Sequence, residues 1–181
     1  MILPLSYYGS PILRQKVAPV TAFDGELARL AKDMVETMHA EAGIGLAGPQ
    51  VGKDLRIFVM EIPPDMDVDE TGRPLNPEFT GPLVAVNPEI VPEEDDEEEM
   101  EEGCLSIPDV RGRVERPMRI RLSYQTVQGE AKTLELTGLA ARCAQHELDH
   151  LNGVLFIDYL GSVKRMAIKG KLKKIRQQYG T

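Results

Sequence analysis

The stretch HELDHLNGVLF, residues 146–156, decides the fold, because it predicts a helix that carries His146 and His150 four residues apart. Such residues share one helical face and lie about 6 Å apart along the axis, so both imidazoles can converge on one metal ion. Glu147 lies beside them, where a carboxylate can accept a proton from an attacking water. A catalytic metal usually takes three protein ligands, but the longer metalloprotease pattern would place its third histidine where Phe156 stands.

Three residues are candidates for the third ligand. Asp158 is the only acid after His150, but it is too close in sequence to lie on a separate helix, as in thermolysin-like enzymes. Cys143 lies about 7.5 Å along the axis from the midpoint of the two histidines, which a cysteine does not easily span. Cys104 remains, although a lone cysteine is commonly a small buried hydrophobe. The spacing favours a Cys-His-His metal hydrolase and leaves open a helix that merely contains these residue types.

The composition is that of an ordinary globular protein. The chain has 181 residues, of which 42% are hydrophobic and 28% charged, and this fits a single catalytic domain over 1–181. No apolar run approaches the roughly 20 residues of a membrane span, and the first residues lack the basic and apolar regions of an export signal. The two cysteines could form one disulfide, but in a chain that is not secreted a metal or catalytic role competes strongly. We therefore expect a cytoplasmic monomer that does not bind a membrane.

Charge is distributed unevenly along the chain. The net charge of -8 reflects the segment EEDDEEEMEE, residues 93–102, which holds nine acidic groups. Residues 162–181 carry seven lysines and arginines and no acid. We expect the acidic segment to be a solvated face and assign no function to it or to the polar stretch 63–82, whereas the basic tail is a cue about partners.

Helical periodicity predicts three helices. Apolar residues recur at helical spacing from Asp24 to about Ala42, and Thr21 or Asp24 is available as the N-cap. The helix with the two histidines is expected to begin near Leu139 and to end at Gly153. The basic tail, 162–181, is expected to be a terminal helix.

Alternation and turn residues predict the strands and loops. Strands are expected over 56–62, over 83–92, in an extended region near 102–108, and in a hairpin of 118–127 and 131–137. The glycine-rich stretch 43–52 and the polar stretch 63–82 are expected to be loops. The fold class is therefore α+β, with antiparallel strands packed around a central helix that carries HExxH, and with N-terminal and C-terminal helices.

Three segments resemble, in order, the signature motifs of the bacterial peptide deformylases: GIGLAGPQ (43–50), EGCLSIP (102–108) and QHELDHLNG (145–153). The resemblance extends from about Ser10 to Leu160. It implies removal of the formyl group from the N-terminal formyl-methionine of nascent proteins, with release of formate. It also implies one divalent metal ion per chain, Fe²⁺ in most members, with Zn²⁺, Ni²⁺ or Co²⁺ possible.

The resemblance implies specific catalytic residues. Cys104, His146 and His150 would be the metal ligands, and Glu147 would move the protons. The side-chain amide of Gln50 and the backbone N–H of Leu105 would donate to the developing oxyanion.

The resemblance also implies the residues that bind the substrate: Ile44, Gly45, Arg111, Leu139, Arg142 and Cys143. The backbone of Gly45 would pair with the substrate peptide, and the Arg111 side chain would contact the substrate backbone. The alternative for Arg111 is an exposed arginine without a function. Arg142 stands where many members have an aliphatic residue, and we expect its stem to line the methionine pocket while its head reaches solvent.

Glu102 and Arg116 would form an ion pair that supports the metal site, unless Glu102 simply ends the acidic segment. The basic tail would dock on the ribosome, as it does in relatives, or would be a solvated helix packed by its apolar residues. A zinc endopeptidase, a non-catalytic metal-binding module and an inactive relative are the rival interpretations.

Overall fold

The computed structural model describes residues 1–93 and 96–179. Glu94 and Asp95 of the acidic segment, and Gly180 and Thr181 of the basic tail, lie outside the described residues. No helix within the described ranges is long and apolar enough to cross a membrane.

Helix α1, Gly25–Ala40, confirms the first predicted helix. Its N-cap is Asp24 rather than Thr21, because the Asp24 carboxylate accepts hydrogen bonds from the backbone N–H groups of Glu26 and Leu27, both at 3.0 Å. An N-cap side chain satisfies N–H groups that a helix leaves unpaired, which fixes the point where α1 begins.

A five-stranded antiparallel sheet forms the centre of the described part of the chain. In spatial order its strands are β1 (Gly45–Ala47), β2 (Ile57–Met60), β3 (Leu83–Pro92), β6 (Arg119–Gln125) and β7 (Ala131–Thr137). Alternate side chains of a strand face opposite sides of a sheet. Ile57 and Val59 therefore pack with α1, whereas Phe58 and Met60 pack with the second helix, α2 (Gly138–Leu151). The central helix and the antiparallel strands of the predicted α+β fold are confirmed.

Strand β1 corrects the prediction of a loop over residues 43–52. Gly45 pairs with Met60 and Ala47 pairs with Phe58, so this glycine-rich stretch forms the edge of the sheet. A 3-10 turn, Gly48–Val51, follows it directly. Small residues are poor strand formers by propensity, but here the pairing with β2 and the packing of the backbone against α2 override that preference.

A second, two-stranded sheet consists of β4 (Glu97–Cys104) and β5 (Ile107–Pro117). It is longer than the predicted extended region, because β4 begins inside the acidic segment, where exposed glutamates pair across to β5. Gly103 pairs with Arg111 whereas Cys104 pairs with Ile107, so residues 108–110 form a bulge on β5. Cys104 is the last residue of β4, and its Sγ lies 3.2 Å from His150 Nε2 on α2.

The polar stretch 63–82 is a loop, as predicted, but it is anchored by a buried amide. The Asn76 amide nitrogen donates to Asp67 and to the backbone oxygen of Thr137, and its oxygen accepts from the Thr137 backbone N–H at 2.8 Å. Thr137 immediately precedes α2, so the loop is fixed to the start of the helix that carries both histidines.

Helix α3, Ser162–Tyr179, confirms the predicted terminal helix and packs on β5. Ile168 and Ile175 are buried in a cluster with Val110, Val114 and Phe156. Because α3 covers this cluster, the helix is packed against the rest of the described chain.

Candidate metal centre and active site

Helix α2 and the end of β4 bring three potential metal ligands together. The ligating atoms of Cys104, His146 and His150 all lie within 4.8 Å of one another. Cys104 Sγ lies 3.2 Å from His150 Nε2, and the two imidazole rings are 5.0 Å apart at an angle of 74°. The helical spacing thus turns both rings toward the same thiol.

The other candidates for the third ligand are engaged elsewhere. Cys143 is buried, and its thiol donates to the backbone oxygen of Ile44 at 3.4 Å. Burial raises the pKa of Cys143 well above its ordinary value. Asp158 forms an ion pair with Arg14 away from the histidines. Phe156, at the place of the third histidine in the longer motif, stacks on His146 with ring centroids 6.1 Å apart.

Glu102 orients His146. Its Oε2 lies 2.9 Å from His146 Nδ1, which leaves Nε2 to face the other two ligands. Burial lowers the pKa of His146, but hydrogen bonds with Cys104 and Glu102 outweigh it and raise the pKa well above the ordinary value. Burial lowers the pKa of His150 well below its ordinary value, which favours the neutral imidazole, the form that binds metals.

The Glu102 carboxylate is itself held by buried cations. Arg116 donates to it through Nε at 2.6 Å and through a terminal nitrogen at 3.0 Å. Glu102 is therefore more than the end of the acidic segment. Burial would raise the pKa of Glu102, but hydrogen bonds from His146 and Arg116 lower it to about 2.

Two members of this network were not predicted from the sequence. Arg116 also donates to Asp149 Oδ2 at 2.9 Å, and the Tyr159 hydroxyl donates to the same oxygen at 3.0 Å. The signal for Asp149 was present, since it lies three residues after His146 on α2. Nothing in the sequence pointed to Tyr159, which reaches the network only through the chain reversal after α2.

Arg142 departs from its expectation. Its side chain lines the active-site cavity, but only 4% of the residue is exposed. The guanidinium donates to Glu102 Oε1 at 2.9 Å and to the backbone oxygen of Val114 at 2.8 Å. The prediction that its head reaches solvent is wrong, because the terminal nitrogens of the guanidinium find acceptors inside the protein.

Glu147 lies beside the potential ligands with its carboxyl group buried. Burial raises the pKa of Glu147 to about 7. Its Oε2 has no hydrogen-bond partner within residues 1–93 and 96–179. A carboxyl group with a free oxygen and a pKa near neutrality can both take and give a proton.

Gln50 lies beside Cys104, and Leu105 follows Cys104 directly in the chain. The Gln50 amide oxygen accepts from the backbone N–H of Ala47 at 2.8 Å, which fixes the orientation of the amide. Its nitrogen then donates to Ser106 Oγ at 3.2 Å and lies 3.5 Å from Cys104 Sγ. The amide N–H groups are therefore directed toward the reaction centre.

A cavity of about 390 Å³ opens onto these groups. The residues predicted to bind substrate all line it: Ile44, Gly45, Arg111, Leu139, Arg142 and Cys143. Met66, from the anchored loop 63–82, also lines the cavity and was not predicted.

The residues present fit a divalent metal ion. One thiol and two imidazoles form a donor set that suits zinc or ferrous iron, and a set of three leaves a position open for catalysis. His146 has the carboxylate at its second nitrogen that metal-binding histidines usually have. These features, with the adjacent Glu147, define the class as a metal-dependent hydrolase.

Comparison with known proteins identifies the family. The polypeptide deformylase family model matches residues 2–166. The peptide deformylase of Salinibacter ruber is 48% identical over 176 residues, which cover 97% of this chain and 89% of that protein. The crystal structure of peptide deformylase from Thermus thermophilus is 38% identical with a TM-score of 0.82, and the alignment covers 98% of this chain and 99% of that one. The corresponding structure from Thermotoga maritima is 41% identical with a TM-score of 0.77, covering 89% of this chain and 99% of that one.

The chain therefore belongs to the peptide deformylase family, the metal-dependent hydrolases that remove the N-formyl group from nascent peptides.

Proposed function

We propose that this chain hydrolyses the formamide of N-terminal formyl-methionine on nascent polypeptides, with Glu147 as the residue that moves the protons. The observation that carries the proposal is the position of Glu147, a buried carboxyl with a free oxygen beside three groups that can share one ion. Family membership supplies the substrate class, and the products are formate and a free amine.

The residues of the site have separate tasks in this proposal. When held by Cys104, His146 and His150, a divalent ion supplies Lewis acidity that polarises a carbonyl and activates water near neutral pH. Glu147 accepts the proton of the attacking water and delivers it to the departing amine nitrogen.

Developing negative charge is stabilised by two fixed donors. The Gln50 amide and the backbone N–H of Leu105 donate to the formyl oxygen. Loss of one such donor typically lowers the rate by about 10²- to 10³-fold.

The substrate is held by the walls of the cavity. The backbone of Gly45 pairs with the substrate peptide, and Arg111 contacts its backbone further out. Ile44, Leu139, Cys143 and the stem of Arg142 surround the methionine side chain, while Glu102 and Arg116 keep His146 in position.

We assign one Fe²⁺ ion per chain as the metal, with Zn²⁺, Ni²⁺ or Co²⁺ as substitutes. A thiolate with two imidazoles can bind any of these four ions, so the choice of Fe²⁺ rests on its use by most members of the family.

The test is formate release from a short formyl-methionyl peptide by protein purified without oxygen and reloaded separately with Fe²⁺, Ni²⁺ or Zn²⁺. We expect turnover that falls by about 10²-fold or more in Glu147→Ala, because the proton acceptor is lost, while the variant still binds one ion. Glu147→Gln is the matched control, because it keeps the size and shape of the side chain while it removes the carboxylate. A Glu147→Ala variant with unchanged turnover, or no release at confirmed occupancy, contradicts the proposal, and the second result favours a metal-binding module.

We also propose that the chain acts in the cytoplasm as a monomer and a single catalytic domain, and that α3 contacts the ribosome. Arg165, Lys169 and Lys173 are exposed on α3, and exposed cations suit phosphate-rich RNA. Deleting residues 162–181 would remove Ile168 and Ile175 and uncover the cluster on which they pack, so charge removal is the cleaner test.

Co-sedimentation with ribosomes measures this contact. We expect binding that weakens steeply with salt and that is weaker still when Arg165, Lys169 and Lys173 are all replaced by glutamine. Binding that is insensitive to both changes contradicts the ribosome contact.

A further inference from the structure

The active-site cavity adjoins a second cavity of about 430 Å³ between β5 and α3. Asp109, Val110 and Arg111 line both cavities, so the two meet at the bulge of β5. A substrate chain that enters the first cavity by its formyl end must leave it along some surface, and this bulge is one edge of that opening.

The bulge has a fixed shape. Asp109 has a left-handed backbone conformation, with φ of 60°, and its carbonyl oxygen accepts a hydrogen bond from Lys171 Nζ at 3.0 Å. Arg111 folds back over Gly103, since a Cβ on Gly103 would lie 3.3 Å from an Arg111 terminal nitrogen. The guanidinium therefore lies one residue from Cys104, at the junction of the two cavities.

Three of the six residues that line the second cavity are cations, and Asp109 is the one acid among them. Its lining consists of Asp109, Val110, Arg111, Lys164, Ile168 and Lys171. Lys164, Ile168 and Lys171 share one face of α3, and Ile168 is buried, so the two lysines border the groove at each side of it. They are about 10 Å apart along the axis, which is roughly the length of three extended residues.

We propose that this basic groove binds the substrate chain downstream of its methionine and favours acidic side chains there. A chain that continues across the bulge would reach Lys164 and Lys171 with residues beyond those held in the first cavity, and at about 3.3 Å per extended residue the two lysines span about three residues. Opposite charges at this position steer and retain the matching chain. The inference rests on the proposed function, because the formyl end must be bound in the first cavity.

The experiment compares kcat/KM for three formyl-methionyl peptides with identical first three residues and with aspartate, serine or lysine at positions four to seven. No ribosomes are present, so RNA does not compete. At low salt we expect the aspartate peptide to exceed the serine peptide by roughly three- to tenfold and the lysine peptide to be slowest. High salt should reduce the difference, because the lysines are exposed.

Variants on α3 assign the effect to the groove. Lys164→Gln, alone and with Lys171→Gln, should bring the aspartate-to-serine ratio toward one. The matched control is Lys169→Gln with Lys173→Gln, which removes the same charge from the same helix but outside the lining of the groove, and it should keep the wild-type ratio. Lys171 also donates a hydrogen bond to the backbone of the bulge, so the double variant can lose activity on all three peptides. In that case the aspartate-to-serine ratio of Lys164→Gln alone tests the proposal.

The proposal that the groove binds the substrate chain is overturned if kcat/KM is equal for the three peptides. It is also overturned if the aspartate-to-serine ratio is unchanged in Lys164→Gln. Failure to release formate from the serine peptide overturns the proposed function instead, so the two failures are distinguishable.

Discussion

The reaction centre depends on a position that carries no side chain. A Cβ on Gly45 would lie 2.8 Å from Glu147 Cδ and 2.9 Å from Cys143 Sγ, closer than real Cβ atoms approach such neighbours. The backbone of β1 therefore reaches Glu147 only because residue 45 is glycine. This gives a physical reason for glycine within a motif that was first identified by resemblance.

Gly45→Ala should reduce turnover by about 10²-fold, because the new methyl group displaces the Glu147 carboxyl from the water it must deprotonate. Metal content should stay near that of the wild type, since the three atoms nearest to the new methyl group belong to Glu147 and Cys143 and not to the three ligands. Formate release and metal analysis on the same sample measure both.

Gly170→Ala is the matched control for Gly45→Ala. Gly170 lies inside α3 with open space around it, so alanine should leave turnover unchanged and stabilise the fold by about 0.5–1 kcal/mol. If Gly45→Ala behaved like this control, the close approach would have no functional importance.

Single residues also mark the limit of inference from sequence. The HExxH helix could be predicted because its ligands are local to one helix. The buried position of the Arg142 head could not, because its acceptors on Glu102 and Val114 come from two other strands. A long charged side chain is expected in solvent until its partners are known.

At the scale of elements, local pattern identified α1, β3 and the β6–β7 hairpin, whose periodicity and turn residues lie within short windows. The same reasoning missed β1 and the start of β4. Both are formed by residues that disfavour strands, glycine in one and glutamate in the other, and both are held by pairing with a neighbouring strand. Pairing of this kind is a property of the assembled sheet.

Helix α3 combines a basic exposed surface with a structural face. We expect Ile168→Ala to lower the free energy of unfolding by about 2–4 kcal/mol, because it leaves a cavity in the cluster beneath α3. Denaturant unfolding measures the change.

Met166→Ala, on the same helix, is the matched control. Met166 is 75% exposed, so its truncation should change the stability by no more than about 0.5 kcal/mol. Equal effects of the two substitutions would mean that α3 does not pack on the body in solution.

At the scale of the whole molecule, the fold unites three segments that are far apart in sequence. Residues 43–50 form the sheet edge and its turn, 102–108 the tip of the β4–β5 hairpin, and 145–153 the end of α2. Their order could be recognised from the sequence, but their convergence depends on the sheet, on α2 and on the hairpin together.

Cys104 and His150 lie on different elements, 46 residues apart along the chain. An unfolded chain does not hold them near each other, so ion uptake and folding are thermodynamically linked. An ion at a hundredfold excess over its dissociation constant would add about 2.7 kcal/mol to the stability of the native state by mass action. Scarcity of the metal would therefore reduce the amount of folded protein as well as the activity of each molecule, since proteases remove chains that spend longer unfolded.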